Sequence, residues 1–214
     1  MEIPARFNGP PASGNGGWAA GAFAVAAGAR VGGPPIEVTL RVPPPLETEL
    51  TVADGAVRAG DTLVASLAEA PGELVPVAPA DPAAARPYLG FTHHPFPTCY
   101  VCGPDRPDGL RIFPGLLPDG RTAAPWIVPA DVELPTVWAA LDCPGGWTAL
   151  RNDRTYVLGR IAVSVAELPE PGSACVVVGE ATELAGRKAM VNSSVYGPGG
   201  NRIATARATW IATT

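Results

Sequence analysis

Apolar and polar residues alternate strictly over residues 36–42, which read IEVTLRV. A period of two is typical of an antiparallel strand that buries one face. Residues 47–52 and 61–68 form similar runs, and the triplet Ala53, Asp54 and Gly55 supplies a turn. The first half of the chain is therefore predicted to contain a meander of antiparallel strands.

The second half repeats this pattern with longer runs. They cover residues 156–165, 173–183, 189–196 and 202–211, and the segment GPGGN at residues 197–201 is a strong hairpin signal. Residues 110–113 and 122–128 predict a further hairpin, with its turn at residues 118–120. The first half has no sequence that matches this leading hairpin.

Two similar segments mark the predicted helices. NGGW at residues 15–18 opens an alanine-rich stretch, and PGGW at residues 144–147 opens a shorter one. We predict helices over residues 13–31 and about 136–152, packed on one face of the strands. Small alanine side chains let such a helix lie close to the sheet that it covers.

An internal duplication accounts for the repeated order of helix and strands. The predicted fold class is α+β, with two antiparallel sheets, each wrapped on a central helix, that can join edge to edge. Residues 1–70 form a shortened first repeat, residues 71–98 a proline-rich linker, and residues 99–214 the second repeat.

Composition narrows the classes of function. The 214 residues include 26 prolines, a density that excludes a helical bundle because an interior proline breaks a helix. The net charge of −5, without a basic stripe, argues against nucleic-acid binding. No apolar run is long enough to span a membrane, and the N-terminus lacks the features of a signal peptide. We therefore expect a cytoplasmic protein that binds neither nucleic acid nor a membrane.

The order of elements resembles the hotdog-fold, thioesterase-like superfamily, and its duplication resembles the double-hotdog acyl-CoA thioesterases. NGGW at residues 15–18 is similar to the His-Gly-Gly opening of the hotdog helix, with asparagine in place of histidine. CYVCG at residues 99–103, followed by GLR, is similar to a segment of phenylacetyl-CoA-thioesterase-like members. WAALD at residues 138–142 is similar to the second-half helix of medium-chain thioesterases. The resemblance implies a tandem hotdog fold.

This resemblance also implies a function. It points to an acyl-CoA or related thioester bound at the interface between the repeats, with no cofactor and a possible homodimer of double hotdogs. An aspartate at the place of Asp142 helps to activate the hydrolytic water in medium-chain thioesterases, so Asp142 is the predicted catalytic residue. Double-hotdog relatives also use a glutamine on the last strand, and this chain contains no glutamine. The alternative function is a non-catalytic protein that binds an acyl or CoA conjugate.

The residues around Asp142 leave two roles open. It follows the apolar residues 137–141, and burial there would raise its pKa and suit it to general-base catalysis. It also lies two residues before Pro144, where a carboxylate could cap a helix end.

The predicted substrate-binding residues lie at the two helix openings. Glycine before a helix leaves N–H donors free at the positive helix end, where they can polarise a thioester carbonyl. The structural alternatives are close helix–sheet contact for the glycines and an N-cap for the asparagine. These candidates are Asn15, Gly16, Gly17, Gly145, Gly146 and Trp147.

Cys99 and Cys102 have the spacing of a metal-binding or redox pair. His93 and His94 offer further ligand atoms nearby, whereas Cys143 could join them only through the fold. Prolines on both sides of the pair predict a non-helical segment, and a redox pair needs a helix N-terminus. We therefore predict neither a metal nor a disulfide here, and assign the cysteines to packing or to a pocket lining. The alternative is a structural zinc ion bound by Cys99, Cys102, His93 and His94.

Overall fold

The computed structural model describes residues 1–150 and 154–213. Within them, one sheet of ten strands is covered by two α-helices, α1 (Gly16–Ala26) and α2 (Leu134–Ala149). The strands are β1 (Ile36–Leu40), β2 (Thr51–Ala53), β3 (Ala56–Ala59), β4 (Thr62–Glu69), β5 (Gly115–Leu116), β6 (Thr122–Ile127), β7 (Tyr156–Val165), β8 (Ala174–Ala185), β9 (Lys188–Tyr196) and β10 (Arg202–Ala212). Among the described residues, no helix has both the length and the apolar character to cross a membrane.

The strands follow the order β2-β3-β4-β1-β7-β10-β9-β8-β6-β5, and all their pairings are antiparallel. Outward from the β1–β7 junction, β4, β3 and β2 on one side mirror β10, β9 and β8 on the other. The hairpin of β5 and β6 extends the second side. The two sheets predicted from the sequence are therefore one continuous sheet, because β1 and β7 satisfy each other's edge hydrogen bonds over residues 36–39 and 160–163.

The long strands of the second half match the sequence pattern within two residues at each end. In the first half, β1 and β4 are confirmed, but β3 is an additional strand. Residues 56–59 are too short to carry an alternating pattern of their own. They form a strand because the turn at Asp54 and Gly55 folds them back onto β2 and because β4 pairs with their other edge.

One predicted strand, residues 110–113, is absent, and another, residues 47–52, was predicted to start too early. Residues 110–113 are not part of a strand; Leu110 and Ile112 instead donate their N–H groups to the carbonyls of Tyr100 and Val101. Arg111 between them has φ +53°, which an extended strand does not allow. Residues 47–50 likewise lie outside β2, because the N-terminal segment takes the N–H groups of Glu47 and Leu50.

The two helices pack against each other and against the same face of the sheet. Glycine makes their close approach possible, because a Cβ on Gly17 would lie 2.5 Å from the Asp142 Cβ. A Cβ on Gly21 would lie 2.8 Å from Trp138 Cβ. The helix predicted over residues 13–31 is confirmed in place but shorter, and it ends before Gly28, whose φ of +96° favours glycine.

Helix α2 begins at Leu134, two residues before the predicted start near residue 136 and ten residues before the PGGW segment. Its first turn is fixed by a capping box, in which Glu133 and Thr136 each accept from the other's backbone N–H. Pro144 lies inside the helix, and Thr122 and Ser193 donate hydroxyl hydrogen bonds of 2.6 Å to the carbonyls of Pro144 and Leu141. The prediction that PGGW opens this helix is therefore wrong. The predicted end at residue 152 lies outside the described residues.

The proline-rich segment of residues 71–98 runs along the sheet with two short 3-10 turns, Pro82–Ala84 and Leu89–Phe91. Val77 fixes its path, because its N–H donates to Ser194 Oγ and its carbonyl accepts from Tyr196 Oη. The segment then leads to Cys99 beside the helices.

Candidate active site

A cavity of about 530 Å³ lies where the start of α1 meets the middle of α2. Most of its lining is apolar, and the side chains of Trp147, Leu158 and Trp210 form part of the wall. Asp142 and His94 are polar residues in the same wall. The cavity thus combines a large apolar volume with a small group of polar atoms at one place.

Asp142 is the buried carboxylate of this cavity, with only 2% of the residue exposed. Its Oδ2 accepts hydrogen bonds from the Gly17 N–H at 2.9 Å and from Asn15 Nδ2 at 3.1 Å. Its Oδ1 has no hydrogen-bond partner among the described residues. One carboxylate oxygen is therefore fixed across the helix pair, and the other keeps its full acceptor capacity.

The environment of Asp142 differs from the cap that the sequence offered as an alternative. The residue lies well inside α2, so it does not cap an end of its own helix. It binds the first turn of α1, where helical N–H groups have no intrahelical acceptor. Burial raises the pKa of Asp142 to about 7, although the hydrogen bond from Gly17 opposes the shift.

Asn15 is confirmed as the N-cap of α1, because its Oδ1 accepts from the Trp18 N–H at 2.9 Å. Its Nδ2 donates to Asp142 Oδ2 and lies 3.8 Å from Cys99 Sγ. Both the oxygen and the nitrogen of the Asn15 amide therefore form hydrogen bonds within the protein. Asn15 lines the cavity and positions Asp142.

The two glycines that open α1 have different surroundings. The N–H of Gly17 is taken by Asp142, whereas no acceptor is found for the N–H of Gly16 within residues 1–150 and 154–213. Gly16 lines the cavity, and a Cβ there would lie 2.8 Å from the Leu158 Cβ. Glycine is therefore required for the backbone to approach β7 at this point.

Of the binding residues predicted around PGGW, Trp147 lines the cavity, whereas Gly145 and Gly146 do not. Gly145 and Gly146 lie within α2 and approach Val191 and Trp210, with hypothetical Cβ contacts of 2.9 and 2.4 Å. They provide close helix–sheet packing, not an open helix N-terminus. Trp147 does line the cavity, where it packs edge-on against His94 with ring centroids 5.2 Å apart.

Three cysteines meet beside Asp142. The sulfurs of Cys99, Cys102 and Cys143 all lie within 4.8 Å of one another, and those of Cys99 and Cys143 are 4.0 Å apart. His94 Nε2 lies 3.4 Å from Cys102 Sγ. His93 is exposed and contacts Thr92 instead. All four cysteines are free thiols, and Cys175 lies on β8.

The side chains of this cluster affect one another electrostatically. Hydrogen bonds from Cys102 and Cys143 hold the pKa of the Cys99 thiol below its usual range. Burial raises the pKa of Cys102, and hydrogen bonding to the other thiols raises that of Cys143. Without a nearby cation, the cluster therefore favours one thiolate over three. Burial also lowers the pKa of His94, which favours its neutral imidazole.

Sequence reasoning missed the walls of the cavity. Leu158 and Trp210 come from β7 and β10, and both belong to ordinary alternating strand patterns. Nothing in such a pattern separates a residue that faces a cavity from one that faces the core. The sequence also could not place Cys143 beside Cys99, since their contact depends on how α2 packs.

The comparison with known proteins decides the fold. No protein-family profile matches the sequence, and no curated protein sequence matches it. Among solved structures, a protein of unknown function with a hot dog fold from Alicyclobacillus acidocaldarius has a TM-score of 0.63. The match covers 100% of this chain and 92% of that chain, with 14% identity. The chain has a hotdog fold.

Two further solved structures that match this chain are of proteins named as thioesterases. A candidate thioesterase from Novosphingobium aromaticivorans DSM 12444 matches with a TM-score of 0.62 and 15% identity. That match covers 100% of this chain and 94% of the other. A thioesterase superfamily protein matches with a TM-score of 0.50 and 15% identity, covering 63% of this chain and 69% of that one. In this hotdog protein, the candidate site lies between the two central helices.

Proposed function

We propose that this protein binds an acyl thioester in the cavity and hydrolyses it with a water molecule activated by Asp142. One observation carries the proposal: a buried carboxylate in the wall of an apolar cavity has one oxygen fixed by two N–H groups and the other without a partner. Such an oxygen can accept a proton from water, and the apolar volume suits an acyl chain.

The reaction assigns one task to each group. Asp142 Oδ1 takes a proton from water, and the resulting hydroxide adds to the thioester carbonyl carbon. The Gly16 N–H, at the positive end of α1, stabilises the negative charge that forms on the carbonyl oxygen. The carbon–sulfur bond then breaks, and the leaving thiolate recovers the proton from Asp142.

Acyl-CoA is the substrate class that we propose. The cavity wall ends in an exposed basic residue, Arg41, whose side chain donates to Ser66 Oγ at 3.0 and 3.2 Å. A guanidinium at the cavity rim can pair with a phosphate while the acyl group occupies the apolar interior.

We infer that the chain is a tandem hotdog, with a first repeat in residues 1–70, a linker in residues 71–98 and a second repeat in residues 99–214. The mirrored strand order around the β1–β7 junction supports this division. Alignment of the two helix N-caps, Asn15 and Glu133, places Ala24 opposite Asp142. Ala24 has no carboxylate, so the proposal gives each chain one catalytic site and not two.

The missing glutamine supports a second candidate function, an acyl-thioester binding protein without hydrolytic activity. The last strand contributes Trp210 to the cavity, and its buried indole N–H has no partner among the described residues. An indole donor can hold an amide or carbonyl oxygen of a ligand, but it cannot accept a proton from water.

The test is steady-state hydrolysis by the purified full chain. A series of straight-chain and aryl acyl-CoA thioesters is offered, and free CoA thiol is measured, with binding followed in parallel by calorimetry. Asp142→Asn retains an oxygen that can accept from Gly17 and Asn15, so the fold and ligand affinity should persist. Loss of a positioned base should lower kcat by about 10²–10⁴.

The matched control is Asp131→Asn, which removes an exposed carboxylate paired with Arg6 on the surface. It should leave kcat and KM unchanged. Full activity in Asp142→Asn would refute the catalytic role of this aspartate. Tight acyl-CoA binding by the parent protein with no hydrolysis would select the binding function instead.

A further inference from the structure

The three clustered sulfurs have the spacing of ligands around one metal ion. A tetrahedral zinc ion with Zn–S bonds of about 2.3 Å holds its sulfurs about 3.8 Å apart. Here the sulfurs of Cys99 and Cys143 are 4.0 Å apart, and Cys102 Sγ lies within 4.8 Å of both. The Cys99–Cys143 pair needs a shift of about 0.2 Å to reach this spacing, and Cys102 Sγ needs one of at most about 1 Å.

The backbone holds two of these cysteines in a compact loop. The N–H of Gly103 donates to the Cys99 carbonyl at 2.9 Å, which closes the turn between Cys99 and Cys102. A Cβ on Gly103 would lie 2.5 Å from the Cys99 nitrogen, so the turn needs glycine at this position. The third sulfur comes from the interior of α2 and is fixed by its packing.

Two nitrogen donors, on His94 and Asn15, lie next to sulfurs of the cluster. His94 Nδ1 accepts from the Phe96 N–H at 2.9 Å, so the proton of its neutral imidazole is on Nε2 and points to Cys102 Sγ at 3.4 Å. Asn15 Nδ2 lies 3.8 Å from Cys99 Sγ. Donors of this kind orient and stabilise metal-bound thiolates.

We propose that Cys99, Cys102 and Cys143 bind one zinc ion through their thiolates, with His94 as a hydrogen-bond donor to Cys102 and not as a ligand. Three thiolates this close repel one another strongly in a buried site, and a divalent cation removes that repulsion. Soft sulfur ligands in near-tetrahedral geometry select zinc among the common divalent ions.

The proposed ion would connect two parts of the chain. It would tie the loop after the proline-rich segment to α2, the helix that carries Asp142. All three cysteines line the cavity, so a solvent molecule or ligand from the cavity can take the fourth position. The site is independent of hydrolysis, because a purely binding protein would hold the ion equally well.

The test is the metal content of the full chain, purified under reducing conditions without chelator and measured by atomic emission. We expect about one zinc per chain in the parent protein, and loss of that zinc in Cys99→Ser, Cys102→Ser and Cys143→Ser. Cys175→Ser is the matched control, because it changes a buried cysteine on β8 outside the cluster, and it should retain the metal.

A second measurement does not depend on whether the three serine variants of the cluster fold. Cobalt(II) added to the metal-free parent protein should produce intense thiolate-to-metal charge-transfer absorption, which Cys175→Ser should retain. His94→Ala should keep this absorption, with metal affinity reduced by about 10–100-fold. The proposal fails if the reduced parent protein binds neither zinc nor cobalt, or if mass spectrometry shows a stable disulfide between Cys99 and Cys143. Loss of all metal binding in His94→Ala would overturn the role given to His94.

Discussion

The contact between Gly17 and Asp142 offers a sharp test of how helix packing supports the site. In Gly17→Ala the new Cβ would lie 2.5 Å from the Asp142 Cβ and 2.8 Å from the Trp138 carbonyl oxygen. Ordinary contact begins at 3.4 Å, so α1 and α2 must separate by about 0.9 Å where the carboxylate is bound.

This separation should affect stability and activity unequally. Overpacking costs about 1–3 kcal/mol, and the lower backbone entropy of alanine offsets about 0.5–1 kcal/mol of that cost. We therefore expect a net loss of about 1 kcal/mol in the free energy of unfolding, measured by urea denaturation. A displacement near 1 Å at a reacting group can lower the rate about 10²-fold, so kcat for acyl-CoA should fall by roughly that factor.

Gly21→Ala is the matched control for this prediction. Its Cβ would press on Trp138 and Pro135 at 2.8 Å, one helical turn away from the carboxylate. It should lower stability by a similar amount but reduce kcat much less. Equal loss of kcat in both variants would show that the rate depends on overall helix spacing. Unchanged kcat in Gly17→Ala would refute the link between this contact and the position of Asp142.

Three further substitutions test other parts of the structure. Asn15→Ala removes the N-cap of α1 and should lower the free energy of unfolding by about 1 kcal/mol. Asn15→Ser should restore the cap but not the full kcat, because serine is too short to reach Asp142. Arg106→Ala should lower the free energy of unfolding, measured in urea, more than Asp108→Ala does. The exposed ion pair of Arg106 with Asp108 contributes at most about 1 kcal/mol, whereas Arg106 also donates to Asn8 Oδ1 and to the Arg6 carbonyl. Leu158→Phe should fill part of the cavity and shift the preferred acyl chain to a shorter length; an unchanged chain-length profile would exclude Leu158 from the acyl site.

Local sequence chemistry determined much of the fold. The strict alternation of residues 36–42 predicted β1, and the longer runs of the second half predicted β7 to β10. The N-cap of Asn15 was also predictable, because a side-chain oxygen three residues before an N–H needs only local geometry. These features depend on neighbours within a few residues.

Tertiary structure decided that α2 continues through Pro144 and which distant groups meet. Pro144 is a helix breaker by local rules, yet it lies inside α2, which is buried here and whose Pro144 and Leu141 carbonyls accept hydrogen bonds from Thr122 and Ser193. The hydrogen bond between the Gly17 N–H and Asp142 Oδ2 joins residues 125 apart in sequence, so no local pattern could predict it. The same holds for Cys143, which joins Cys99 and Cys102 only because α2 packs against their loop. Side-chain identity thus fixed the candidates, and long-range packing selected which of them share one cavity.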